Sequence, residues 1–163
     1  MEPARVSKRP SAPASLDLVS TEADDLFHAR SQSPTDARKQ ATRDHFDAWA
    51  AWRMEWEEKA RAYYDDQVRY FKFLVPEGLH VLEIGSGLGN LLAALRPVRG
   101  VGIELSPEMA RQAARLHPAL EFRVDDAETL AIAETFDVII LADVVGHLQD
   151  VGAAFRRLHQ ACT

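Results

Sequence analysis

Residues 80–92 read HVLEIGSGLGNLL, a short apolar run, then three glycines at alternate positions, then an apolar helical start. A strand that breaks into a tight turn and resumes as a helix leaves backbone N–H groups pointing outward at the helix N-terminus, and a nucleotide-type ligand is the leading expectation. Gly85, Gly87 and Gly89 carry no Cβ, so a ligand can approach the backbone closely. A bulky residue at Gly87 is expected to close the site. The spacing departs from the dinucleotide fingerprint GxGxxG, in which the third glycine comes five residues after the first. Here it comes after four, Asn90 stands where that fold wants Gly or Ala, and an acid, Glu83, lies two residues before the first glycine. Downstream, VGIEL ends a second apolar run in Glu104, where a carboxylate can accept hydrogen bonds from both hydroxyls of a ribose.

The rest of the chain alternates short apolar runs with helical patterns, which argues for an α/β fold with a parallel sheet and right-handed crossovers. Strands are expected at about 80–84, 100–104, 120–124 and 136–141. Helices are expected at about 88–95 and 107–116, where Ser106 can cap and Pro107 suits the first helical position. A further helix starts near Asp150, with Val151, Ala154 and Leu158 on one face. Ahead of the sheet, Phe46, Trp49, Trp52 or Arg53, Trp56, Tyr63, Tyr64, Val68, Phe71 and Leu74 recur at three- and four-residue steps. One or two amphipathic helices are expected there. The three tryptophans are expected to pack on the sheet, with a lid over a pocket as the alternative. Pro76, Glu77 and Gly78 end this helical part. The organisation is therefore a disordered arm over residues 1–34, rich in Ser, Ala and Pro, a helical segment or lid over 35–77, and an α/β domain from 78 to 163.

These motifs, in this order, resemble the class I S-adenosylmethionine-dependent methyltransferases, especially the small-molecule branch with an E/D-x-G-x-G-x-G first motif. The resemblance runs from about Tyr63 to the C-terminus. It implies S-adenosyl-L-methionine as cofactor and a Rossmann-like sheet in which the four strands present lie in the order 3-2-1-4. It places Glu83, Gly85, Ser86, Gly87 and Gly89 around the methionine end of the cofactor, and Glu104 with Leu105 at the ribose. Asp126 and Ala127 of FRVDDAETL would lie against the adenine, and FDVIILADVV would end near the methyl group at Asp143. An aromatic from the pre-sheet helix, Tyr63 or Tyr64, would come near the cofactor. Methyl transfer from a sulfonium is an in-line displacement in which the protein mainly aligns the acceptor. Where a base is needed, the candidates are Asp143, His147 and the phenol of Tyr63 or Tyr64. No NPPY-type motif follows the fourth strand, so methylation of nucleobase or protein-amide amino groups is not supported.

Composition narrows the partners. The formal net charge of −6 gives no basic surface for nucleic acid. The single cysteine, Cys162, allows no intrachain disulfide and points to no metal site, zinc included. No apolar stretch is long enough for a membrane span, no secretory signal is evident, and the cytoplasm is the default. The family's sheet has seven strands, whereas this sequence ends after the helix that leads into the fifth, so a truncated chain or one needing a partner is expected. A bare fourth strand would also suit edge pairing between two copies. Three functions follow: a methyltransferase acting on a small-molecule or a lipid- or sugar-linked acceptor, a cofactor-binding or interaction module without turnover, and an NAD-dependent oxidoreductase. The last fails on glycine spacing.

Overall fold

The computed structural model describes residues 34–163. Residues 1–33 of the arm read as disordered lie outside the described residues. Two helices precede the sheet, α1 (Pro34–Lys59) and α2 (Arg61–Leu74), joined at Ala60. The face of α1 is not the apolar stripe expected from the tryptophan spacing. Ala50 is its one buried side chain among those described, while Trp52 is 64% and Trp56 49% exposed. Those two tryptophans do not pack on the sheet: of the large apolar side chains of α1, Phe46 and Trp49 face the cavity, and Ala50 packs with Leu88 and Met109. In α2, Val68 and Phe71 pack with Val75 against the domain core.

The sheet is parallel, with strands β1 (His80–Ile84), β2 (Arg99–Glu104), β3 (Glu121–Val124) and β4 (Val138–Leu141) in the order β3-β2-β1-β4. The connections are α3 (Asn90–Ala94), α4 (Pro107–Leu116) and, after a 3₁₀ turn at Val145–His147, α5 (Val151–Gln160). Strand alternation sends side chains to opposite faces. Leu82, Ile84, Val101 and Ile103 meet Ala154, Leu158 and Phe136 on one face. Val81 and Ile140 meet Leu91, Leu92, Leu95 and Val75 on the other. Glu83 shares the second face with Val81, two residues along the strand, and so lies buried beneath the start of α3.

The two sheet edges differ. At β3, Arg99, Arg123, Glu121 and Glu134 alternate in a partly buried ion network, with Arg99–Glu121 at 2.6 Å and Arg123–Glu134 at 2.6 Å. Charges of this kind blunt an edge strand. At β4, Phe136 falls outside the strand, although the sequence places it inside. Its N–H donates to Ala161 O (2.8 Å), and its carbonyl accepts from Thr163 N (3.1 Å), making a parallel bridge to Cys162. Phe136 therefore pairs outward with the chain leaving α5 rather than inward with β1.

Candidate functional site

A cavity of about 420 Å³ lies at the C-terminal ends of β1, β2 and β4, under α1 and α2. That is the crevice in which open parallel sheets bind ligands, and its size falls within the ordinary range for small-molecule sites. The glycine turn forms its floor. Gly87 has φ +53, and a Cβ built there would meet nothing nearer than Arg53 Nη2, at 3.9 Å. The turn is thus open at Gly87 to a ligand. Gly89 is different: at φ +74 it caps α3, and a Cβ would stand 2.6 Å from Phe122 Cε1. Its constraint is packing against β3, and it does not line the cavity.

Two acids lie beneath the turn. Glu104 is buried, with Oε2 accepting from Gly87 N and Oε1 from Ser106 N, each at 2.9 Å. One carboxylate therefore shapes the glycine turn and the start of α4 together. Burial pushes its pKa above the usual carboxylate value, opposed by backbone N–H donors from Ser106, Gly87 and Leu105 and by the charge of Arg53. Glu83 has fewer compensations. Its Oε2 has no hydrogen-bond partner, and burial, with the neighbouring charges of Glu104 and Glu57, raises its pKa to about 8. The Ser86 hydroxyl is likewise buried and unpartnered. Unsatisfied polar atoms at the floor of an open cavity are groups that a ligand can satisfy.

On the β3 side, Asp126 Oδ1 accepts from Lys39 Nζ (2.7 Å) and from Glu128 N (3.0 Å). Lys39 also bonds the Glu128 carboxylate, which accepts from Gln149 N (2.8 Å) and Asp150 N (3.1 Å). Burial opposes ionisation of Glu128, but Lys39 and these two N–H groups outweigh it and hold the pKa below the usual value. On the β4 side, Asp143 takes φ +54, a left-handed conformation that Asp tolerates. Its Oδ2 accepts from Tyr63 OH (2.7 Å) and Gln67 Nε2 (2.9 Å). That bond to Asp143, with some desolvation, raises the Tyr63 pKa and so favours the neutral phenol. Tyr63 is 52% exposed and does not line the cavity, whereas Tyr64 does. His147 reaches the cavity from the 3₁₀ turn with its ring edge-on to Phe46, centroids 5.1 Å apart.

The structure thus gathers Glu83, Gly85, Ser86, Gly87, Glu104, Leu105, Asp126, Ala127, Asp143, His147 and Tyr64 around one cavity and leaves Gly89 and Tyr63 outside it. Lys39, Arg53, Glu57 and Glu128 were not visible as site residues in the sequence. The DAE run held a signal for Glu128, but its partners come from distant segments. A family profile described as a methyltransferase domain matches residues 56–163. The chain belongs to that family. Its sheet order and glycine turn are those of the class I, S-adenosylmethionine-dependent methyltransferases.

Among relatives of this methyltransferase domain, the ubiquinone biosynthesis O-methyltransferase of Bradyrhizobium diazoefficiens is 33% identical over 86 residues, covering 49% of this chain and 34% of the relative. Phosphoethanolamine N-methyltransferase 1 of Triticum aestivum is 38% identical over 87 residues, covering 48% and 18%. The chain thus spans about a third or less of the curated relatives it matches. The solved N-methyltransferase NodS of Bradyrhizobium japonicum, in complex with S-adenosyl-L-homocysteine, superposes with a TM-score of 0.63 at 20% identity, over 75% of this chain and 68% of that one. That likeness shows the fold. The described residues contain no cluster of three or more His, Cys, Asp or Glu able to hold a metal ion, and no helix long and apolar enough to cross a membrane.

Proposed function

We propose that this chain is the cofactor-binding part of an S-adenosylmethionine-dependent methyltransferase acting on a small-molecule or a lipid- or sugar-linked acceptor in the cytoplasm. The observation that carries the reading is the floor of the cavity: an open Gly87, the orphaned Glu83 Oε2 and Ser86 Oγ, and the buried carboxylate of Glu104 within one turn. These groups fit the cofactor. Gly87 gives backbone access, and Glu83 offers an acceptor to an ammonium. Beside the bonds it accepts from backbone N–H groups, the Glu104 carboxylate keeps lone-pair capacity for a ribose hydroxyl. When bound, the cofactor supplies an electrophilic methyl carbon on sulfur.

The side chains nearest the β4 end of the cavity would position the acceptor. Phe46, Trp49 and His147 give it flat surfaces, and Asp143 and His147 are the groups placed to take a proton from a hydroxyl or acidic carbon. Tyr63 is held neutral by Asp143, so its part is to orient that carboxylate. Calorimetric titration with S-adenosylhomocysteine, with NAD as control, tests the reading. Micromolar binding of the former alone supports it, and preference for NAD overturns it. Pairing of two copies through the outer edge of β4 belongs to the same proposal. It is supported by an edge bonded only at Phe136 among the described residues, and a stable monomer by light scattering would remove it.

A further inference from the structure

A ladder of rings leads out of the cavity. His147 meets Phe46 edge-on with centroids 5.1 Å apart, and Phe46 meets His45 at 5.2 Å. His45 stacks on Trp49 at 6.3 Å, and Trp49 meets Trp56 at 5.7 Å. Trp52 belongs with them, because His45, Trp49, Trp52 and Trp56 follow one another at four-, three- and four-residue steps and so stand on one stripe of α1. His147, Phe46, His45 and Trp49 line the cavity, whereas Trp52 and Trp56 lie exposed beyond it. The rings inside and outside the cavity thus form one apolar track, about 15 Å long from Phe46 to Trp56 at the rise of an α-helix. Arg53, bonded to Glu57, lies over Trp49 with its guanidinium carbon 5.7 Å from the ring centroid and steadies that rung.

An exposed apolar patch of this extent marks a binding surface, and its surroundings decide for what. Glu55 and Lys59 stand three residues beyond Trp52 and Trp56 and are bonded to each other (2.6 Å). The charges beside the track are spent on one another, and a chain of net charge −6 is not drawn to an anionic membrane. The track is continuous, however, with the end of the cavity where Asp143 and His147 stand ready for the acceptor. We infer that the methyl acceptor carries a linear hydrocarbon tail that lies along Trp49, Trp52 and Trp56 while its reactive group sits at Asp143 and His147. The inference rests on the methyltransferase reading above and narrows its acceptor to the lipid kind.

The test uses the 163-residue chain saturated with S-adenosylhomocysteine and the straight-chain alcohols butanol, hexanol and octanol as probes. Trp49, Trp52 and Trp56 are the chain's three tryptophans, so intrinsic tryptophan emission reports this track alone. Affinity should rise about two- to fourfold with each added methylene, fourfold corresponding to complete burial. Trp52→Gln and Trp56→Gln, both at exposed positions, should each reduce the gain from hexanol to octanol while keeping the affinity for butanol. Affinity independent of tail length would overturn the inference, as would a gain that both variants keep in full. Emission that changes with protein concentration instead would give the track to a second copy. Emission that responds to phosphatidylcholine vesicles but not to the alcohols would give it to a membrane, and either result overturns the inference. Failure of the chain to bind S-adenosylhomocysteine overturns the methyltransferase reading itself, a distinct result.

Discussion

Replacing Glu83 by glutamine should flatten the pH dependence of stability over a window set by its burial. The carboxyl is 4% exposed with an unpartnered Oε2, and burial raises its pKa from 4.5 to about 8. Between those values the folded chain holds a proton that the unfolded chain has released. The stabilisation from this group is complete below about pH 4.5 and is lost as pH rises through about 8. Each pH unit inside the window corresponds to about 1.4 kcal/mol, so the whole loss comes to roughly 4–5 kcal/mol. Glutamine keeps the shape and hydrogen-bonding reach without ionising. Urea unfolding of wild type and Glu83→Gln should therefore give a stability difference that slopes by about 1.4 kcal/mol per pH unit from about pH 5 to 8. Taking the difference cancels the titrating groups that do not interact with Glu83. A constant offset across this range would show that Glu83 is already ionised in the folded chain and would refute the reasoning.

The same protonation state has a binding signature. An ammonium group placed against Glu83 favours its ionised form, so cofactor binding near pH 7 should release a proton, seen as a titration heat that varies with buffer ionisation enthalpy. Heats independent of the buffer would separate Glu83 from the ligand. Glu104→Ala should weaken S-adenosylhomocysteine by about 10- to 100-fold and also lower stability, because Gly87 N and Ser106 N lose their acceptor. An unchanged dissociation constant would sink the ribose assignment. Gly89→Ala should cost about 2–5 kcal/mol of unfolding free energy, from the left-handed backbone and the Phe122 ring in the way. Denaturant melts in which this variant matches the wild type would contradict the packing account.

What the sequence disclosed was local. Helix α4 begins at Pro107 as its signals require, with Ser106 Oγ accepting from Met109 N at 3.1 Å. Strand β1 and the glycine turn were equally legible, because a β-branched run and three glycines need no distant partner to be read. Where the reading failed, the deciding partner came from elsewhere in the chain. Gly89 was grouped with its neighbours by spacing, yet Phe122 on β3 makes it a glycine for packing. Trp52 and Trp56 kept helical steps with Trp49, but periodicity does not say that the helix crosses the strand ends, where only part of a face finds cover. Lys39 looks like an ordinary surface cation in a charged helix. Its role arises from partners up to 89 residues away, a separation no local pattern encodes.

The pre-sheet helices hold the site by polar ties more than by apolar burial. Lys39 bonds Asp126 after β3. Asp47 accepts from Ser106 Oγ (2.5 Å) and Glu108 N (3.0 Å) after β2. Glu57 accepts from Asn90 after β1, and Tyr63 and Gln67 bond Asp143 after β4. Each of the four loops at the C-terminal end of the sheet thus has its own tie to α1 or α2. Hydrogen bonds of this kind are worth only about 0.5–1.5 kcal/mol net, or about 1.5–3 kcal/mol where a charge is involved, because water replaces the lost partner. The apolar contribution of α1 is small beside them, since Ala50 is its one buried side chain among those described. A cover held in this way is specific in register, with one partner per loop, and its ties are of the same strength as those a ligand would make to Asp126 or to the glycine turn. Of these ties, Lys39 to Asp126 and those of Tyr63 and Gln67 to Asp143 use groups that a ligand or acceptor would also use. The floor of the site is set by glycines within one turn, whereas its roof is set by partners from distant segments, which is why the sequence could show the first and not the second.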